Sequence, residues 1–468
     1  MSENDPIHLL RHALGDEAVL TAPQDIVRVL KDQSWLSPVL QQTLDERKET
    51  GGDVLGVKAV VVPRTEDEVV AAAGIAARAR LPITLRGAGT SNFGLVTPEH
   101  GGLLFDLRGL SGEVEFDGTI ARAPAGTFQG AIERAARARG REMPVLTTTY
   151  ATATAAGWIA GGHVGLGSSV HGSVWDGLIK SVRIVTVEEE PRVLTLTDDE
   201  VIPVLHTFGA AGIVTEVSHR TAEAREWIEA VGFFPTFEQA AAFATVISQD
   251  TKYRHRVAAA QEEELMAGMT GLSPIIVPGA GVLLILDAEN MADAHAEAAR
   301  HGGTIAVWQT WQQGGARLTG KQSIAGMVYG HRMLWVKRLL PEAAFIHVYF
   351  DPKDPMAGLR LLKERFGNEM LMELKFVRSP WMSRILGFDP TDPLPAAVVS
   401  VRKGSPAEVA EVLAFCDGAG LRYQNSHTNV IEDTGMFPDV SPIVSLKAET
   451  DPYNLLARGR LRSAKVRA

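Results

Sequence analysis

Apolar and polar positions along the chain follow two rhythms. From Val57 to Val217, short β-branched runs alternate with glycine-rich turns, and beyond Glu223 strand–turn–helix units repeat with few glycines. Val57–Val62 reads as a strand stopped by Pro63. Thr65-Glu66-Asp67-Glu68 then forms a capping box opening the alanine-rich helix Val69–Arg80. Leu81–Leu85 is the next strand, and it delivers the stretch Arg86-Gly87-Ala88-Gly89-Thr90-Ser91-Asn92 with a closing Gly94. Gly102–Leu107 and Gly118–Ala123 are further strands, after which Thr127 is placed to cap a helix over Phe128–Arg139. Ile179–Val187 and Val193–Leu196 make a strand pair around an acidic turn, and Gly209–Val217 is a glycine turn entering a strand. Residues 6–50 carry an amphipathic helical pattern and no recognisable chemistry.

In the second half, strands over Ile228–Phe234, Gly281–Leu286, Phe345–Phe350 and Ala397–Val401 each precede a helix. Three of those helices carry start signals: Thr236 with Gln239, Asp354 with Pro355, and Ser405 with Glu408. Four such units predict a sheet with helices on one face, resembling duplicated ferredoxin-like units. Residues 308–337 break the rhythm and cluster Trp308, Trp311, Tyr329, His331, Trp335 and Lys337, polar tips on aromatic bodies as a binding pocket wants.

Composition narrows the classes. A chain of 468 residues is expected to hold two or more domains, and a net charge of −10 argues against a general nucleic-acid binder. The single cysteine, Cys416, excludes an intrachain disulfide and any cysteine-cluster metal site. The thirteen histidines show HxxxH spacing only at His8 and His12, in the N-terminal stretch without recognisable chemistry, and no metal is expected. The acidic N-terminal stretch lacks a signal-peptide pattern, and no apolar run approaches the roughly 20 residues needed to span a bilayer, so a cytoplasmic protein is expected.

The candidate chemistry lies in the glycines. Consecutive amides around Gly87 and Gly89 can form a nest for phosphate, with Thr90, Ser91 and Asn92 adding donors. A second segment, Gly157 to Gly172, holds six glycines in sixteen residues, as expected where backbone passes close to a large flat ligand. The Rossmann fingerprint does not fit, because Thr97-Pro98 and Gly101-Gly102 keep the first loop from opening into a helix.

Taken in order, RGAGTSNFG, TATAAGWIAGGHVGLGSSVHG, the strand–acidic turn–strand and GAAGIVTEV resemble the FAD-binding domain of the vanillyl-alcohol oxidase family, also called the p-cresol methylhydroxylase (PCMH) type. That resemblance implies an α+β, two-domain PCMH-type flavoprotein with a ferredoxin-like substrate cap. Its divisions are an N-terminal extension over 1–50, an FAD-binding domain over 51–222, a cap over 223–450 and a C-terminal segment, 451–468, returning to the FAD domain. It assigns Arg86, Gly87, Ala88, Gly89, Thr90, Ser91, Asn92 and Gly94 to the pyrophosphate. Thr152, Thr154, Gly157, Gly161, Gly162, Gly165, Gly167, Ser168 and Gly172 would line the flavin and ribityl chain, and Gly212, Ile213 and Val214 would meet the adenosine half. Thr90 and Tyr150 stand where relatives link the flavin through histidine or cysteine, so noncovalent FAD is expected.

The implied function is oxidation of a small alcohol or hydroxy acid by hydride transfer to FAD. The alternatives are an NAD(P)H-linked reductase of the same fold and a flavin-holding electron-transfer subunit. His331, in a Tyr-x-His followed by Lys337, is the candidate base; Lys337 would hold a carboxylate or oxyanion, and His427 is the next candidate. Neither the electron acceptor nor the oligomeric state follows from these residues.

Overall fold

The computed structural model describes residues 5–30, 32, 37–49, 56–91, 94–315 and 319–464. The first half builds two small sheets. In one, Val57–Val61, Gly102–Asp106 and Ile83–Arg86 run parallel, with the short strand Val19–Leu20 antiparallel on the outer edge. The other is antiparallel, in the order Glu115–Asp117, Ile120–Pro124, Ile213–Arg220, Ile179–Val185, Val193–Thr197.

Local chemistry sets the helix boundaries. Helix Glu66–Arg78 starts at Thr65, whose hydroxyl accepts from the Glu68 amide at 3.2 Å. The Glu68 carboxylate reaches one residue further back than a capping box requires, accepting from the Arg64 amide at 2.6 Å. The apolar face of this helix buries Val69, Ala72, Ala73 and Ala76. Thr127 does not cap the following helix, Gln129–Arg137; its hydroxyl accepts from the Gly112 amide at 3.3 Å and closes the preceding loop.

The second half is one continuous sheet whose spatial order is Thr304–Thr310, Trp227–Phe234, Ala280–Asp287, His255–Gln261, Glu373–Val377, Leu394–Val401, Ala344–Tyr349, Arg422–Gln424. Numbered along the chain, each group of four strands is arranged 4-1-3-2, the ferredoxin-like order, with helices following its first and third strands. The two units meet through their second strands, where Ala260 and Gln261 pair with Leu374 and Glu373. Sequence reasoning located only the strand that precedes each helix.

The lobes interlock around the second glycine segment. The Gly167 amide donates to the Arg256 carbonyl at 2.7 Å, and the Arg378 amide to the Ser168 carbonyl at 2.9 Å. Asp176 accepts from the Trp381 amide at 3.0 Å, and the rings of Trp175 and Trp381 stack with centroids 4.2 Å apart. No helix among the described residues is long and apolar enough to cross a membrane.

The C-terminal segment runs beside Ile83–Arg86, the strand that feeds the first glycine loop. The Ile83 amide donates to Leu455 and the Ala457 amide to the Ile83 carbonyl, both at 2.8 Å. The buried Lys447 Nζ fixes this return, lying 2.8 Å from Asp451 and donating to the Leu456 carbonyl at 2.8 Å. Asp451 in turn accepts from the Leu455 and Leu456 amides. Burial pulls Lys447 down and pushes Asp451 up, and each opposes the other's shift. The basic C-terminal tail is partly buried: Arg460 is buried and donates to the Thr97 carbonyl at 3.2 Å, while Lys465 and Arg467 lie outside the described residues. Lys447→Ala would leave a buried carboxylate without its cation, and is expected to lower unfolding free energy by about 3–5 kcal/mol in urea titrations. A loss below 1 kcal/mol would contradict this role.

Candidate functional site

A cleft between the lobes encloses about 1480 Å³ of space, part of it open to solvent. The first glycine loop forms one wall, with Arg86, Gly87, Ala88, Gly89, Thr90 and Ser91 all on it. Thr154, Gly157, Gly161 and Gly162 line a second wall, Gly212 and Val214 a third, and the cap contributes Tyr329, Gly330, His331 and His347. The three sequence-distant glycine motifs therefore surround one space.

The loop is shaped to present backbone. Gly89 has φ +65°, and a Cβ there would stand 2.0 Å from the Arg86 guanidinium, which folds beneath the loop. A Cβ on Gly87 would meet the Thr154 hydroxyl at 2.2 Å. That hydroxyl caps the short helix Ala155–Gly161 by accepting from the Gly157 amide at 3.2 Å. The amides of Ala88, Gly89 and Thr90 donate to no acceptor among the described residues. Burial pulls Arg86 below the usual guanidinium range, opposed by the Asp106 carboxylate. Free amides, a buried cation and glycines that tolerate no side chain fit a pyrophosphate.

Several expected contacts stand away from the cleft. Asn92 lies outside the described residues. Gly94 sits in a turn, its carbonyl accepting from the Thr97 amide at 3.0 Å, and the exposed Thr152 hydroxyl reaches the Thr149 carbonyl at 3.4 Å. Gly165 and Gly167 lie against backbone rather than lining the cleft: a Cβ would meet the Leu146 carbonyl at 2.2 Å or the Pro144 carbonyl at 2.0 Å. The Ser168 hydroxyl accepts from the Gly165 amide at 2.9 Å, and Gly172, at φ +90°, makes room for Asp176. Ile213 turns into the core, as the period of two in a strand requires between cleft-lining Gly212 and Val214. The second segment's glycines thus divide between cleft wall and close backbone packing.

Of the three candidate catalytic residues, only His331 reaches the cleft. It ends a short turn, Tyr329–His331, before helix Arg332–Leu339. Its Nδ1 makes a short hydrogen bond with the Thr148 hydroxyl, the Thr90 carbonyl lies beside the ring, and Nε2 is buried with no hydrogen-bond partner. Burial pulls its pKa to about 4. Lys337, one and a half turns along the helix, points elsewhere: its Nζ donates to the Pro341 carbonyl at 2.8 Å, and burial lowers its pKa to about 8. Both nitrogens of His427 are taken by structure, Nδ1 by the Ser37 hydroxyl at 2.5 Å and Nε2 by the Phe345 carbonyl at 3.0 Å. Trp308, Trp311 and Trp335 are packing residues: two indoles donate to the Gln322 and Gly326 carbonyls, and Trp311 stacks on Tyr150 at 5.2 Å.

Sequence reasoning set His163, inside the second glycine segment, near the flavin but missed His206 and His347 as residues of the cleft. His163, His206 and His347 all line it, and the His163 and His206 rings meet edge to face at 4.6 Å. Burial holds all three well below the ordinary imidazole range, so they are neutral. Three cleft residues, His206, Phe208 and Tyr329, have φ between +53° and +58°, a strained region for side chains of this bulk. No linear pattern links them; His206 and Phe208 precede the Gly209 turn without a motif of their own.

Residues 57–195 match the family model of an FAD binding domain. No curated protein matches the chain. Among solved structures, alkyldihydroxyacetonephosphate synthase in a P212121 crystal superposes with a TM-score of 0.67 at 13% identity, covering 98% of this chain and 85% of that one. The same synthase in a P1 crystal gives a TM-score of 0.64 at 13% identity, covering 98% and 86%. At that identity the likeness is one of fold, and it extends across both lobes. The chain thus carries an FAD binding domain over residues 57–195 and shares the fold of that synthase across both lobes.

Proposed function

We propose that the protein, as a flavoprotein of the vanillyl-alcohol oxidase type, oxidises a small organic substrate at an alcohol or hydroxy-acid carbon. Noncovalently bound FAD supplies the two-electron acceptor. The observation that carries this reading is the convergence on His331. There the first loop through Thr90, the run leading into the second segment through Thr148 and the cap through Tyr329–His331 meet at one neutral imidazole in the cleft.

His331 takes the substrate's hydroxyl proton at Nε2, while Nδ1–H donates to the Thr148 hydroxyl oxygen. The cap excludes water by covering the cleft with Tyr329 and His347, and the Ala88–Thr90 amides with Arg86 hold the pyrophosphate. Noncovalent attachment rests on Thr90 at the loop and on Tyr150, which is stacked on Trp311 rather than lining the cleft. The only cysteine, Cys416, is buried in the cap core.

Acid precipitation is expected to release the yellow chromophore into the supernatant; flavin remaining with the pellet would refute noncovalent attachment. Gly89→Val places a branched side chain at positive φ and into the Arg86 guanidinium, so it should purify mostly as apoprotein, read from the ratio of flavin to protein absorbance. Full flavin content would remove the loop from the pyrophosphate site.

His331→Ala should keep its flavin yet slow anaerobic reduction by alcohol substrates about 10²–10⁴-fold in stopped flow. The pH dependence has a defined sign. A base whose pKa is depressed to about 4 is unprotonated above that value, so the wild-type reduction rate should stay level through neutral pH and fall as pH drops through about 4. An acid limb near the ordinary histidine value, or an unchanged rate in the variant, would move the chemistry to another group.

A further inference from the structure

A second group of cleft histidines is wired together by one glutamine. Gln424, on the last cap strand, lies with its Oε1 3.0 Å from His347 Nδ1 and its Nε2 3.2 Å from His206 Nε2. An amide side chain offers one acceptor and two donor hydrogens, so its ends impose opposite roles on the two rings. Both rings are neutral, because burial pulls His206 to about 4 and His347 to about 3. Where Oε1 faces His347, that ring must carry its proton on Nδ1, leaving Nε2 as a lone pair. The glutamine NH₂ facing His206 needs an acceptor at Nε2, so His206 carries its proton on Nδ1. Gln424 grips the rings by different nitrogens, so one tautomer leaves two unlike atoms: an N–H on His206 and a lone pair on His347.

The Gly161 and Gly162 carbonyls, which only accept, lie against the His206 ring, whose Nδ1 is buried and makes no hydrogen bond of its own. At the other end, Lys375 and Arg332 face His347 and disfavour its protonation; both cations are paired with Glu373, at 3.0 Å and 3.4 Å. His163, against His206, is neutral as well. His347 Nε2 is buried with no hydrogen-bond partner, on a half-buried ring that lines the cleft. His206 itself is held at φ +58°, so the fold keeps a strained backbone to place this ring.

We propose that Gln424 is a positioning residue that locks His206 and His347 in their Nδ1–H form, so that His347 Nε2 accepts a hydrogen bond from a substrate hydroxyl in the cleft. A carboxylate, which only accepts, finds no donor at that nitrogen. The inference rests on the oxidation reading and narrows its substrate class to alcohols whose hydroxyl, or a second hydroxyl, meets His347.

Two measurements test it on the holoenzyme. With ¹⁵N-histidine labelling, long-range imidazole spectra should show Nδ1–H tautomers for two rings, identified by their loss in His206→Asn and His347→Asn. In Gln424→Leu at least one should revert to Nε2–H while the flavin spectrum stays native. Nε2–H tautomers in the wild type, or no change in Gln424→Leu, overturn the relay. For the ligand, 1-butanol and butyrate are titrated into oxidised enzyme and read by the flavin absorption shift. The alcohol should half-saturate at a concentration about tenfold lower, and His347→Asn should abolish that preference, as expected for one buried hydrogen bond. Equal response to the two probes, or a preference that survives in His347→Asn, overturns the assignment. If the tautomers and the preference hold while no alcohol bleaches the flavin, the oxidation reading fails and the hydroxyl subsite stands.

Discussion

The cleft exists only because the cap docks, and docking turns on one buried cation. Arg256 leaves the cap sheet and enters the first lobe, almost wholly buried, with Nη2 3.2 Å from Glu142 and 3.4 Å from Glu133. Its guanidinium lies about 5 Å from the rings of Trp227 and Trp311. Burying a guanidinium costs several kcal/mol unless carboxylates meet it. Here the cation comes from the cap and the carboxylates from the first lobe, where Arg137 already pairs with Glu133 at 2.8 Å and Glu142 at 2.5 Å, so it is Arg256 that would be left uncompensated without docking. The Arg256 carbonyl also accepts from Gly167, which ties the ion pair to the segment whose upstream half lines the cleft. Correct docking of Arg256 therefore sets the position of Tyr329, His331 and His347 over the glycine loops.

Rigid docking also explains the strained residues. A bulky side chain at positive φ costs about 1–3 kcal/mol and survives only where its surroundings over-determine it. His206 is fixed by Gln424 across the lobe boundary and by the rings of His163, Trp175 and Phe437. Tyr329 is held between the cleft and Lys375, whose ammonium lies 5.1 Å from its ring centroid. Both are stabilised by contacts to the opposite lobe or to the cap core. For His206 the strain and the interface are thus one feature, because the Gln424 contact that crosses the lobe boundary also fixes its ring, whereas Tyr329 is held from within the cap.

The sequence was most legible where punctuation is local. Glycines, prolines and caps marked the first loop, the helix at Thr65 and the strand before each cap helix. The strands after the helices escaped notice for physical reasons. His255–Gln261 is rich in alanine and carries charge at Arg256. Glu373–Val377 looks like a surface pattern until Glu373 and Lys375 are seen to neutralise each other in the core. The same limit applied to the cleft. Loop residues whose role is steric, such as Gly87 and Gly89, were identified from composition. Lys337 and His427 were singled out for their chemistry, yet only tertiary packing decides that one turns to Pro341 and the other is held by Ser37 and Phe345. His206, His347 and Gln424 are 77 to 218 residues apart and share no motif, so nothing linear could have joined them.

These residues divide the cleft electrostatically. At the loop end stands Arg86, the guanidinium of the cleft wall, with unbonded amides beside it. At the cap end the polar groups are imidazoles and a phenol, all kept neutral by burial. The cations behind them, Lys375 and Arg332, do not line the cleft, and both pair with Glu373. A ligand with one anionic and one uncharged end is therefore accepted in a single orientation, because reversing it would place charge among groups that cannot compensate it. Uncharged imidazoles also keep lone pairs available at neutral pH, which a charged site of the same shape would lose. The fold thus confines charge recognition to the loop and leaves the cap end to distinguish its ligands by hydrogen-bond direction.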